Sequence, residues 1–245
     1  MTTRIDRLWP DPAENLSDDD LIAGLDPDGR GRVRVNFVSS IDGAATRVGR
    51  SSGLSGPADE RLFELLRRVC DVVVVGAGTV RTEGYGAMRV TDASAAWRRA
   101  HGRPEHPVFA IVTGELDLDP ASPIFTDAPV RPIIVTTERA TDVARFAEVA
   151  DVVVAGTTHV DPAKAVAELR ERGRTRVLCE GGPSLFGSFL AADAVDELCV
   201  TIASSLEAGD APRIANGEAP PREMRLATVL RSGDTLLLRY SRHDG

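Results

Sequence analysis

The sequence predicts an α/β fold, with a central, mostly parallel sheet, helices on both faces and a C-terminal antiparallel hairpin. Three observations carry this expectation. Short apolar runs alternate with segments of helical spacing for most of the chain, the pattern of parallel strands joined by crossover helices. Val72 to Val75 is apolar at every position, which suits a strand covered on both faces. The last two strand-like runs, Leu226–Leu230 and Thr235–Tyr240, are joined through Ser232-Gly233-Asp234, a turn short enough to make a hairpin.

Each element follows in order. Residues 1–30 are polar, are broken by Pro10, Pro12 and Pro27, and read as an N-terminal extension. Within them Ser17-Asp18-Asp19-Asp20 suits the cap of a short helix through Ala23. Residues 31–245 read as a single domain, because no linker-like stretch interrupts them. Val33 to Val38 is a β-rich run. Pro57 to Arg68 carries Leu62, Leu65 and Leu66 at helical spacing, with proline suited to a first turn. After the valine run come a helix over Ala93–Ala100 and strands at Val108–Thr113 and Ile133–Val135. A helix over Thr141–Val149 and a strand at Val152–Val154 follow. Pro162–Arg172 is an amphipathic helix, Arg176–Cys179 a strand and Ser184–Ala192 a helix. Glu197–Ala203 opens the closing set of strands.

Composition narrows the function. A chain of 245 residues with 42% hydrophobic residues can bury a sizeable core, so disorder is excluded as its main theme. The net charge of −8 argues against non-specific nucleic-acid binding, which needs a basic surface. Cys70, Cys179 and Cys199 are odd in number and widely spaced, a reduced pattern that points to the cytoplasm. No apolar stretch is long enough to span a bilayer, and the first residues lack an apolar signal region. The four histidines have no metal-ligand spacing, so no metal is expected.

In open α/β sheets ligands bind beyond the carboxyl ends of the strands. Three such ends carry glycine. Gly76-Ala77-Gly78-Thr79 follows the valine run and is either a structural turn or an approach for a phosphate. Arg81 stands where a full dinucleotide fingerprint needs its third glycine. Glu180-Gly181-Gly182-Pro183-Ser184 combines a strand-end carboxylate with two glycines and a helix start, either an anion cradle with a carboxylate at the substrate or a turn in which Glu180 is a cap or pairs with an arginine. Asp42, in Ser39-Ser40-Ile41-Asp42-Gly43, either closes an Asx-turn or moves a proton. Thr137 and Arg139 follow a further strand and suit a ribose 2′-phosphate, or form a solvated loop.

The ordered set Ser40-Ile41-Asp42-Gly43, Asp71 through Val80, Glu180-Gly181-Gly182-Pro183-Ser184-Leu185 and Val195-Asp196-Glu197-Leu198 resembles a known family. It is similar to the reductase domain of the riboflavin-pathway deaminase–reductases, whose fold is like that of dihydrofolate reductase. The resemblance runs from about Val33 to the last strand, and the zinc motif of the deaminase half is absent. It implies a stand-alone, homodimeric, NADPH-dependent reductase of 5-amino-6-(5-phosphoribosylamino)uracil. It places the cofactor on Gly76, Gly78, Thr79, Val80, Gly181, Gly182, Ser184 and Leu185, and the substrate on Asp42, Arg89 and Glu180. Asp42 and Glu180 are then the candidate proton-transfer groups, and Tyr85 a candidate to stack on a flat ring. The run Leu198–Ile202 with Leu206 is the candidate dimer contact.

Two departures fall on the substrate side. Ala44 stands where the family usually has lysine, and Glu83-Gly84-Tyr85-Gly86 replaces an Asp-Asn-Pro-type segment. They keep open an NADPH reductase of dihydrofolate or another pterin-like ring, and a non-catalytic nucleotide- or flavin-binding protein.

Overall fold

A computed structural model describes residues 3–26 and 28–243; Pro27, expected to act as a breaker, lies outside the described residues. The chain runs β1 (Asp6–Trp9), α1 (Asp18–Leu25), β2 (Val33–Ser40), α2 (Pro57–Val69), β3 (Val72–Gly76), α3 (Ala77–Glu83) and α4 (Asp92–Ala100). It continues through β4 (Val108–Val112), α5 (Pro123–Thr126), β5 (Ile133–Thr136), β6 (Asp151–Val154), α6 (Pro162–Glu171) and β7 (Val177–Cys179). It closes with α7 (Pro183–Ala191), β8 (Glu197–Ala203), β9 (Met224–Ser232) and β10 (Thr235–Arg242).

The strands form one sheet in the order β1-β9-β10-β8-β2-β7-β3-β4-β5-β6. From β8 to β6 all neighbours are parallel, so their carboxyl ends share one edge. From β8 to β1 the sheet is antiparallel, and β9 and β10 are the expected hairpin.

The valine run of β3 shows why the sheet is double-covered. Val73 and Val75 enter one apolar core beside Leu62, Leu65 and Leu66 of α2. Val72 and Val74 enter a second core with Val166 and Leu169 of α6 and Phe186 and Phe189 of α7. Alternate residues of a strand point to opposite faces, so this central strand needs apolar side chains throughout. Helix starts are locally encoded. Ser17 and Asp20 form a reciprocal capping box at α1, and Asp161 with Pro162 opens α6.

Two expectations change. Residues 3–26 of the expected extension pack on the sheet and the core. β1 pairs antiparallel with β9, and Ile5, Leu16, Leu21 and Leu25 join the core on the α2 side. The expected helix over Thr141–Val149 is one 3-10 turn, Val143–Phe146. Asp142 before it has φ +58°, and Arg131 donates to the carbonyls of Ala147, Glu148 and Ala150. Those carbonyls are satisfied by a guanidinium instead of by a continuing helix.

Candidate active site

A cleft of about 810 Å³ opens at the carboxyl ends of β2, β7 and β3. Asn36, Phe37 and Val38 of β2 form its floor, and the turns after β3 and β7 line it with Gly76, Gly78, Thr79, Gly182, Ser184 and Leu185. The opposite wall is α2, which contributes Asp59, Phe63 and Arg67 at steps of four residues. Steps of four lie on one helix face, and here that face runs beside the apolar stripe of Leu62, Leu65, Leu66 and Val69.

The centre of the cleft is a polar group of three residues. Arg67 donates from Nε and Nη2 to the two carboxylate oxygens of Glu180, each at 2.7 Å. The Tyr85 hydroxyl donates to Glu180 Oε2 at 2.9 Å. The Glu180 side chain is 1% exposed and that of Arg67 17%. Bidentate, charge-assisted pairing is what makes a buried carboxylate tolerable, since an unpaired one is costly. Burial works against the Arg67 charge, but the charge and hydrogen bonds of Glu180 prevail and raise its pKa. Burial, then the Glu180 charge, pushes the Tyr85 phenol well above its ordinary value, so Tyr85 is a donor at neutral pH. Apolar faces hold both partners. The Arg67 guanidinium lies 4.2 Å from the Phe63 ring centroid, and Tyr85 stacks on Phe109 at 5.7 Å.

The two glycine turns meet side by side. Gly76 N–H donates to the Gly181 carbonyl at 2.8 Å. A Cβ at Gly182 would sit 2.4 Å from Thr79 Oγ1, and one at Gly181, where φ is +94°, would sit 2.8 Å from the Phe37 ring. Only glycine permits this approach. α3 and α7 both begin here, capped by Gly76 and Gly182 with no side-chain hydrogen bond to their first-turn amides. Uncapped amides at adjoining helix starts, around glycines that leave room for a ligand, fit a dinucleotide pyrophosphate. Gly76, Gly78, Thr79, Gly182, Ser184 and Leu185 are therefore brought together as expected, with Gly181 shaping the turn behind them.

Other expected residues are not in the cleft lining. Asp42 is exposed and closes a loop. It accepts the Ser40 hydroxyl at 2.5 Å and the backbone N–H groups of Ala208 and Glu207 at 2.8 and 3.2 Å. Those bonds, the hydroxyl first, hold its carboxyl down to about 2 and keep it ionised in the loop. Val80 is buried in the core, on the inner face of α3. Arg89 turns away from Met88, Ala87 and Gly86, which do line the cleft, and donates to the Asp127 carboxylate at 2.9 Å. Thr137 is buried and donates to the Gly114 carbonyl, while Arg139 is exposed; they lie beyond β5, two strands away from the β3 turn. Arg67, absent from the sequence-based set, is the cation that the cleft does contain.

A doubly covered sheet with a cleft at its carboxyl edge, paired glycine turns on one side and a buried Arg–Glu–Tyr group on the other, has the architecture of an α/β enzyme domain. The chain belongs to the RibD C-terminal domain family, which it matches over residues 32–238. It is 30% identical over 219 residues to a Methanothermobacter thermautotrophicus protein named 2,5-diamino-6-ribosylamino-4(3H)-pyrimidinone 5′-phosphate reductase, covering 85% of this chain and 97% of that one. It is 28% identical over 179 residues to the riboflavin biosynthesis protein RibD of Mycobacterium tuberculosis, covering 72% of this chain and 43% of that longer protein. The fold matches the crystal structure of a pyrimidine reductase-like protein from Corynebacterium diphtheriae with TM-score 0.81 at 23% identity, over 94% of this chain and 100% of that one.

Proposed function

We propose that the chain is an NADPH-dependent reductase of riboflavin biosynthesis that converts the ribosyl group of a phosphoribosylamino-pyrimidine into a ribityl chain. The observation that carries this reading is the Arg67–Glu180–Tyr85 group facing the paired glycine turns across one cleft. Bound NADPH supplies the hydride. The first-turn amides of α3 and α7 would hold its pyrophosphate, with Gly182 and Thr79 setting the depth at which it lies. Glu180 accepts from ring or exocyclic N–H groups of the substrate, and Arg67 donates to a ring carbonyl from Nη1, the nitrogen not used on Glu180. Opening the ribosylamine moves a proton from the exocyclic nitrogen to the ribose ring oxygen and leaves an imine; hydride at C1′ and a proton at nitrogen complete the reduction. Tyr85, with its raised pKa, keeps its proton on Glu180 and fixes that carboxylate in place. The Cys70 and Cys179 thiols, pushed up to about 12 by burial, and Cys199, pushed to about 11, take no part.

The uracil expected from the sequence and the diamino-pyrimidinone in the archaeal relative's name differ in ring substituents, oxo against amino at one carbon. Five carboxyl groups line the cleft (Asp59, Glu60, Glu64, Glu83 and Glu180) against one cation, Arg67. Acceptor-rich walls favour the amino form. A second reading is a pterin-like ring such as that of dihydrofolate, because a phosphate would meet no unpaired cation on these walls unless Arg89 leaves Asp127; the glutamate carboxylates of dihydrofolate would then stay outside the same walls. NADPH oxidation followed with the diamino-pyrimidinone phosphate, the uracil phosphate and dihydrofolate in parallel, with NADH as control, decides among them. Turnover of the diamino compound first is expected. Turnover of dihydrofolate alone transfers the assignment to the second reading, and NADPH binding without any turnover leaves a nucleotide-binding protein.

The proposed assembly is a homodimer. Leu198, Ile202, Leu236 and Tyr240 are half-buried, and the pairings Leu198↔Tyr240 and Ile202↔Leu236 put them on the sheet face opposite buried Leu237. Leu206 nearby is 73% exposed. Sedimentation at micromolar protein tests it, and a monomer would refute it. Three buried, unpaired thiols agree with a reducing cytoplasm. No helix among the described residues is long and apolar enough to cross a membrane.

A further inference from the structure

A second cavity, of about 180 Å³, lies on the far side of α2 from the cleft, between α1 and the β8–β10–β9 part of the sheet. Its walls are leucines: Leu21 and Leu25 of α1, Leu62 of α2, Leu230 of β9 and Leu237 of β10. Gly24 lines it from α1, and a Cβ built there meets nothing within 4 Å. Gly24 stands in the last turn of α1, so the wall is open at that point. Much of the enclosure comes from residues 5–25, ahead of the family match that begins at residue 32.

The mouth is charged. Arg7 of β1 donates only from Nε, to the Asp11 carbonyl, and both its Nη atoms lack a partner among the described residues. Arg239 donates to Glu197 and to Thr228, and Glu197 is shared with Arg34 and Arg32, so three guanidinium groups surround one carboxylate behind the cavity wall. Asp20 is the carboxylate in the lining; it is engaged by the backbone N–H and hydroxyl of Ser17 and lies within the field of Arg7 without a hydrogen bond to it. The balance at the mouth is positive and the interior is apolar.

We propose that this cavity is a binding site for a small monocarboxylate with an apolar body of about one ring, its carboxylate on Arg7 and its body among the leucines. At about 180 Å³ the space has room for one benzene-sized ring among the leucines, with its open side at the charged mouth. Benzoate and its uncharged analogue benzyl alcohol are the probes. Titration calorimetry and thermal unfolding on the purified full chain should show benzoate binding at about millimolar concentration or below, undiminished by saturating NADPH. Gly24→Leu, which fills the space, should abolish binding while NADPH oxidation is unchanged. Ala227→Met, from the β9 wall, is the second filling variant should the first not fold. Arg7→Gln should weaken benzoate about tenfold and leave benzyl alcohol alone, the loss of one charge-assisted contact. Benzoate that competes with NADPH, that still binds both filling variants, or that fails to bind at tens of millimolar (about ten times the expected range) overturns the proposal.

Discussion

Arg67→Met is the perturbation that separates stability from function in the cleft. It removes both hydrogen bonds, each 2.7 Å, from a Glu180 side chain that is 1% exposed, leaving the Tyr85 hydroxyl as partner. Stranding one member of a buried pair costs about 3–5 kcal/mol. For a chain of this length each kcal/mol moves the unfolding temperature by about 2–4 °C, so a fall of about 6–20 °C is expected. Adding Glu180→Gln removes the stranded charge and keeps an acceptor for Tyr85. The double variant should therefore recover most of the loss, because deleting a whole pair is far cheaper than deleting half of one. Turnover should not recover. The single variant has lost the Arg67 contact to substrate and the double variant the Glu180 charge as well, so kcat/KM should be down by about 10-fold or more in the first and about 100-fold or more in the second. Circular dichroism melting beside NADPH oxidation measures both. A single variant melting within about 2 °C of the native chain would show that the pair is not the buried unit described here. A double variant with near-native kcat/KM would show that the pair does not act on substrate.

Three further outcomes follow from the geometry. Asp42 has its carboxyl held at about 2 against an ordinary 3.8, so its stabilisation is complete above the ordinary value and is lost as pH falls through about 2. Asp42→Asn should therefore lower the urea midpoint above pH ~4 and leave it unchanged near pH ~2, with kcat little altered; a collapse of kcat would restore a catalytic role. Gly182→Ala puts a Cβ 2.4 Å from Thr79 Oγ1 but 3.8 Å from Thr79 Cβ, so it should cost about 1–3 kcal/mol, most of it regained when Thr79→Ala is added. Additive losses in denaturant melts would place the strain elsewhere. Arg89→Ala should raise KM for a phosphorylated substrate about tenfold at constant kcat, if Arg89 exchanges Asp127 for the phosphate; an unchanged KM confines Arg89 to its ion pair.

Much of the fold was legible because its signals are local. The valine run, the Ser17 cap, Pro57 and Pro162 at first turns, and the Ser232–Asp234 turn each act over a few residues. The 141–149 segment misled because its carbonyls are taken by Arg131, from outside the segment. Residues 1–30 read as an extension because they are polar and broken by prolines, yet Ile5, Leu16, Leu21 and Leu25 all reach the core. The glycine turns were legible as turns, and the Glu180 site as a strand end. Arg67 was not, since its partner is 113 positions away and its neighbour Arg68 serves Ser94 and Asp18 instead. The one trace in the sequence is the spacing of Asp59, Phe63 and Arg67, a polar and aromatic stripe beside the leucines. Asp42 was read as a choice between loop and proton transfer, and its hydrogen bonds in the structure are those of the loop.

The position of β7 also sets a timetable for the ribosome. β7 lies between β2 and β3, yet it is made about 100 residues after β3. At ~5–20 residues per second, the nascent chain carries Val72–Val75 with one flank unfilled for about 5–20 s. A bare valine strand is a template for pairing with a neighbouring chain. Arg67, Arg68 and Asp71 just upstream are the charged gatekeepers of that interval. The arginine that anchors the finished cleft is thus also one of the charges beside the strand that waits for β7.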